Sequence, residues 1–141
     1  MIMDNANSPL SEVDADLFAR SWADAWNSHD ASRITAHYSD DVEYHSPFVA
    51  RLTGGDALHG RTAVKEYAAA ALARYPDLHF GPDITVATGA GSLALVYRSV
   101  EGLLAVETLL LNDRGLVACA HCHYRSTAPG ESTVGALTDD D

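Results

Sequence analysis

A chain of 141 residues with 47% hydrophobic residues has the length of one domain and enough apolar content to bury a single core. Its formal net charge of −11 excludes nucleic acid and anionic membrane surfaces as partners, because both require Lys/Arg patches that this composition does not supply. No apolar run approaches the roughly 20 residues of a membrane span, and Met1 to Ser8 show no secretory signal, so a cytoplasmic protein without a membrane association is expected.

In chain order, residues 1–10 read as a flexible N-terminus, 11–125 as one folded domain and 126–141 as a disordered acidic tail ending in Asp139, Asp140 and Asp141. Ser11 with Asp14 forms a capping box that opens a first helix to about Asn27. Its apolar stripe is Val13, Leu17, Phe18, Trp22, Ala25 and Trp26. Asp30 caps a second, short helix through Tyr38. Val42 to Ser46 reads as a strand stopped by Pro47, and Val49 to His59, with its Gly54-Gly55 pair, as a long loop or lid. Arg61 to Tyr75 is a third helix with Val64, Tyr67, Ala68, Ala71 and Leu72 on its apolar face, stopped by Pro76. Strands are expected over Leu78 to Thr88, Leu93 to Val100, Leu103 to Asn112 and Leu116 to Tyr124. Helices early and sheet late make this an α+β plan.

The hairpin turns predict which side chains meet. A two-residue turn at Glu101-Gly102 sets Val96 opposite Glu107 and Arg98 opposite Ala105, which makes Arg98 and Glu107 diagonal neighbours. A turn at Asp113-Arg114 sets Glu107 opposite Ala120 and puts Cys122 and Tyr124 on the same face. Glu107 lies in L-L-A-V-E-T-L-L-L, apolar enough for a strand buried on both sides. A carboxylate there either pairs structurally with Arg98 or is a pocket acid that exchanges a proton with a ligand.

Ser39-Asp40-Asp41 before a strand that ends at Pro47, G-R-T-A-V from Gly60 to Val64, and the Asn112 to Gly115 turn before the last strand carry a resemblance to a known family. Over roughly Glu12 to Tyr124 the chain resembles the nuclear transport factor 2-like superfamily, and within it the SnoaL-like proteins. The resemblance implies a cone-shaped α+β barrel, three N-terminal helices in the concavity of a curved, mostly antiparallel sheet. The family includes steroid isomerases, polyketide cyclases, scytalone dehydratase and limonene epoxide hydrolase, beside members that only bind or dimerise. A homodimer with an apolar pocket and no cofactor is the expectation that follows.

Carried over residue by residue, the resemblance puts Ser46 where ketosteroid isomerase-like members have their general base, an Asp before the strand-ending Pro. A serine hydroxyl without an adjacent base cannot take that role at neutral pH. Trp22 falls where a supporting tyrosine stands, Tyr38 retains a second tyrosine, and Glu107 takes the place of an acid. The epoxide hydrolase residues fall on Leu93, Leu95 and Cys122, and the cyclase His and Asp on Ala120 and Cys122, so neither pattern is present.

The sequence A-C-A-H-C-H-Y over Ala118 to Tyr124 also invites a metal reading. Cys119 and Cys122 point to opposite faces of a strand, which disfavours both joint chelation and a disulfide. Cys119, His121 and His123 share a face, but no third and fourth ligand is evident from the spacing, so no metal is assigned. His45 alternates away from Tyr44 and Ser46 and enters the pocket only if a bulge turns it, in which case it would be a replacement base. The candidate set is therefore Glu107, His45 and Tyr38 as catalytic groups, with Trp22, Tyr44, Ser46, Tyr67, Arg98, Cys122 and Tyr124 as pocket lining around a small apolar molecule.

Overall fold

Ser11 opens α1 (Glu12–Asn27), its hydroxyl accepting from the Asp14 N–H at 3.0 Å. Asp30 does the same for α2 (Ala31–Thr35), accepting from the Ser32 N–H at 2.9 Å. The structure is a computed structural model that describes residues 10–126. The flexible N-terminus and acidic tail expected from the sequence lie outside the described residues, apart from Leu10 and Ser126.

The stripe expected on α1 is rotated. Val13 and Leu17 are 69% and 53% exposed, while Ala15, Ala19, Trp22, Ala23 and Trp26 are buried. The alanines allow the helix to approach its neighbours closely, and the two tryptophans supply the bulk. Tyr38 belongs to the strand β1 (Tyr38–His45) and not to the end of the second helix.

The stretch read as a loop is ordered. Ser46 is the N-cap of α3 (Pro47–Thr53), with Pro47 in the first turn and Gly54 closing it at φ 86°. This is the Pro-first, Gly-last asymmetry of a short helix. A short strand β2 (Ala57–His59) then pairs with β1, and the described residues hold four α-helices where three were expected.

After α4 (Arg61–Arg74), the strand expected from Leu78 starts only at Thr85, as β3 (Thr85–Gly89). Gly81 and Pro82 explain the delay, since neither suits a strand interior. Residues 78–84 are instead pinned to the end of α1. Asn27 Nδ2 donates to the Phe80 carbonyl at 2.9 Å, and the Phe80 N–H donates to Asn27 Oδ1 at 2.7 Å. The His29 Nε2 lies 2.8 Å from the Leu78 carbonyl.

The strands β4 (Ser92–Arg98), β5 (Leu104–Leu111) and β6 (Val117–Arg125) complete a six-stranded sheet of order β2-β1-β6-β5-β4-β3. Only β1 and β6 run parallel. The sheet is curved and mostly antiparallel, and the helices fill its concave face, which gives the α+β cone that the sequence implied.

Register is where the structure departs most from expectation. Three residues, Val100 to Gly102, form the β4–β5 turn, with Glu101 at φ 60° and Gly102 at φ 72°. Leu95 therefore faces Glu107 and Tyr97 faces Ala105. This one-residue slip turns Arg98 to the opposite face from Glu107, and the expected Arg98–Glu107 pair does not form. Arg98 Nη1 instead donates to the Gly102 carbonyl at 3.2 Å.

The β5–β6 pairing slips by two residues. Asn112 pairs with Leu116, and a bulge between Leu110 and Leu111 adds a second residue, so Glu107 faces Cys122 and Ala105 faces Tyr124. An even slip preserves faces, and Glu107, Cys122 and Tyr124 share one as predicted.

Replacing Asn27 with Ala leaves both half-buried backbone groups of Phe80 without their partner. Urea unfolding should show a loss of about 1–3 kcal/mol.

Candidate functional site

The concave face is aromatic by construction. Trp22 on α1 stacks on Phe80 with ring centroids 5.1 Å apart, and its edge meets Tyr97 at 4.9 Å. Tyr44 and Tyr67 lie 5.3 Å apart, and Phe48 meets Tyr124 edge to face at 4.7 Å. Between these rings is a cavity of about 40 Å³, lined by Trp22, Trp26, Tyr44, Tyr67, Tyr97, Glu107 and Tyr124 among others. It shares Tyr75, Leu78, Phe80, Ser99 and Val100 with an outer cleft of about 300 Å³, which carries Arg74, Asp77, His79 and Glu101. The interior is thus mainly aromatic, and its mouth carries charged groups.

Glu107 is the single buried carboxylate, 2% exposed, among the described residues. Tyr97 Oη donates to its Oε1 at 2.9 Å, while Oε2 is buried without a protein partner. Burial pushes its carboxyl up to about 7, and the Tyr97 hydrogen bond, with a smaller contribution from the nearby Cys122 thiol, only partly offsets that. The carboxyl therefore changes protonation near neutrality, where an acid-base group is most effective.

The surrounding hydroxyls stay neutral. Burial raises Tyr38, Tyr44, Tyr97 and, less completely buried, Tyr67 and Tyr124. The charge of Glu107 adds to the effect at each. Cys122 is raised by burial and then by Glu107, and its thiol donates to Tyr44 Oη at 3.5 Å. The Trp22 and Trp26 indole N–H groups and the Tyr38 hydroxyl are buried and also lack protein partners. Donors thus outnumber acceptors around one carboxyl.

The SnoaL-like domain family matches residues 19–132 of this sequence. The chain belongs to that family. This SnoaL-like chain is similar to the crystal structure of a SnoaL-like protein of unknown function from Burkholderia thailandensis, at 35% identity and a TM-score of 0.79, over 84% of this chain and 100% of that one. It also shares its fold with a "putative ketosteroid isomerase" from Kribbella flavida, at 19% identity and a TM-score of 0.60, covering 87% of this chain and 86% of that one. No curated protein matches the chain.

The expected site residues divide into three groups in the SnoaL-like frame. Trp22, Tyr44, Tyr67, Glu107 and Tyr124 line the cavity. Tyr38, Ser46 and Cys122 are buried beside it but do not line it. The Ser46 hydroxyl accepts from the Phe48 N–H at 3.2 Å, which makes it a helix cap. Arg98 and His45 are on the other side of the sheet, Arg98 through the register slip and His45 because the β1–β6 irregularity lies before Glu43 and the register is regular from Glu43 to His45. His45 stacks on His121, so it is not the replacement base of this pocket.

Sequence reasoning missed Tyr97, the partner of Glu107, and the contributions of Phe48 and Phe80. The Ser-Pro start and Gly54 end of α3 were a readable signal for Phe48. Nothing in the sequence pattern fixed a three-residue turn before Leu103.

Between pH 4.5 and about 7 the folded protein keeps a proton on Glu107 that the unfolded chain has released. Its contribution to stability is full below pH 4.5 and is lost as pH rises through about 7. At about 1.4 kcal/mol per unit, the loss is up to roughly 3 kcal/mol. Urea unfolding across this range should show the stability of Glu107→Gln rising relative to the parent by that amount. A constant difference would mean that the carboxyl titrates in its ordinary range.

Proposed function

We propose that this SnoaL-like protein binds a small, largely apolar molecule across the aromatic cavity and the wider cleft that adjoins it, and moves a proton on it with Glu107, without a cofactor. The reaction classes are isomerisation, cyclisation or dehydration. The observation that carries this reading is the buried Glu107 carboxyl, with one oxygen held by Tyr97 and the other without a protein partner. Protonated, it donates to a carbonyl; ionised, it takes a proton from an adjacent carbon or hydroxyl. The neutral hydroxyls and indoles around it then stabilise charge that develops on the ligand.

One observation favours the competing reading of a binding module without turnover. By the family resemblance Ser46 falls at the base position of ketosteroid isomerase-like members, and its hydroxyl accepts from the Phe48 N–H at the start of α3. Among the described residues, Glu107 is then the only carboxyl that lines the inner cavity.

Both tryptophans of the chain line the cavity, so their fluorescence reports occupancy directly. Cyclohexanone, which only accepts hydrogen bonds, should bind more tightly below about pH 7, and phenol, which can donate, more tightly above it. Glu107→Gln should flatten both profiles. Exchange of the ketone's α-protons into deuterated water, followed by NMR, separates the readings. Acceleration that is lost in Glu107→Gln marks an enzyme, while binding without acceleration marks the module. Absence of saturable binding by either probe would sink both.

We further take the working unit to be a cytoplasmic homodimer, a reading supported by the family resemblance and by exposed Leu110 on the sheet. Sedimentation that shows monomer alone would overturn it.

A further inference from the structure

The strand β6 carries different chemistry on its two faces. Ala120, Cys122 and Tyr124 face the helices, while Cys119, His121 and His123 face away. On that outer face β6 lies parallel to β1 in the register Glu43 to Cys119 and His45 to His121. Partners across a parallel pair project to the same side, so these four side chains form a block of two rows. The ligating atoms of His45, Cys119 and His121 all lie within 4.8 Å of one another. The two imidazoles stack with centroids 4.3 Å apart and planes 1° apart.

Glu43 closes one side of the block. Its Oε1 is 3.6 Å from His45 Nε2, and its Oε2 is 3.9 Å from His59 Nδ1 on β2. The third ligand that the spacing within β6 could not supply thus comes from a strand more than seventy residues earlier. His123, which shared the face in the sequence reading, lies beyond the end of β1, with Nδ1 3.4 Å from the Val106 carbonyl.

We propose that His45, Cys119 and His121 bind a late first-row divalent metal ion, zinc by donor set, with Glu43 as the carboxylate that orients the His45 imidazole. One thiolate and two imidazoles are soft and borderline donors that favour zinc, nickel, cobalt or copper over magnesium or calcium. Bonds of ~2.0–2.3 Å place tetrahedral ligands roughly 3.3–3.8 Å apart. The block therefore closes on an ion by drawing in about 1 Å and turning the two stacked imidazoles out of parallel so that their in-plane lone pairs converge, movements open to half-exposed and exposed side chains by rotation about their torsions. On binding, the Cys119 thiol releases its proton to solvent and the thiolate sulfur becomes a ligand. A carboxylate beside a ligating histidine fixes the ring and raises its basicity. The fourth position faces solvent. The ion bridges β1 and β6, the one parallel pairing of the sheet, and sits on the side opposite Glu107, so this site is independent of the proposed cavity chemistry.

The test uses the full chain without a histidine tag. Competition against a chromophoric chelator should give one tightly held zinc ion per chain. Cobalt(II) should give visible d–d bands and a near-ultraviolet thiolate-to-metal charge-transfer band. Cys119→Ser should abolish the charge-transfer band, and His45→Ala and His121→Ala should each weaken zinc binding at least tenfold. Neither His123→Ala nor Glu107→Gln should change it. Circular dichroism establishes that each variant is folded, and the cobalt spectrum of the unaltered chain stands without any variant. A cobalt complex lacking the charge-transfer band, no stoichiometric zinc, or loss on His123→Ala equal to that on His121→Ala would overturn the proposal.

Discussion

The hydrogen bond from Tyr97 to Glu107 sets the electrostatic character of the cavity, and it exists because one turn has three residues and not two. Glu101 at φ 60° and Gly102 at φ 72° supply the extra residue in left-handed backbone. Glu101 is held there by its own side chain, which accepts from Tyr75 Oη at 2.7 Å and lies 3.6 Å from Arg51 Nη1. A two-residue turn would present Arg98 to the carboxylate. A guanidinium would hold Glu107 ionised, whereas a phenol gives one neutral hydrogen bond and leaves burial dominant. The neighbour selected by the turn thus decides whether the carboxyl is a fixed charge or one that titrates near neutrality.

The same period-two logic separates the two faces of β6. A residue that lines the concave side has neighbours committed to the other side, so the aromatic interior and the histidine-cysteine surface can vary without interfering. The β5–β6 register leaves this division intact because the longer turn and the bulge each add one residue, an even number together. A single added residue would have exposed Cys122 and buried His121 and His123, each then needing a buried partner.

Most element types and their order were legible because their signals are local, while α3 and β2 were not read from the Val49 to His59 stretch. Ser11 and Asp30 cap the helices expected of them, and the late block of β-branched and leucine-rich segments gives the strands. The family fold was legible for the same reason, from short motifs at helix and strand boundaries. Which side chains meet was only partly legible, since that depends on counts accumulated through turns. Glu107 could be singled out as an acid in an apolar run, but its partner could not, because Tyr97 and Arg98 are adjacent in sequence and a single residue decides between them. His45 illustrates the converse. Its outward direction followed from alternation, while its proximity to Cys119 and His121 followed only from the parallel pairing of strands far apart in the chain.

An interior with one carboxyl that titrates near neutrality and many neutral donors constrains the chemistry it can serve. Hydrolysis requires a group to activate water and a further group to protonate the leaving atom, and the cavity supplies a single carboxyl. A proton shift within one molecule has no such requirement, since the carboxyl that takes the proton can return it to another atom of the same ligand. The hydroxyls of Tyr97 and Tyr44 and the indole of Trp22 remain donors throughout, because burial keeps the tyrosines neutral and indole has no acidic form in this range. The charge that develops when Glu107 removes a proton is then met by dipoles already in place. Under the proposed reading, the loss of an acid at Ser46 restricts the site to reactions that balance their own protons.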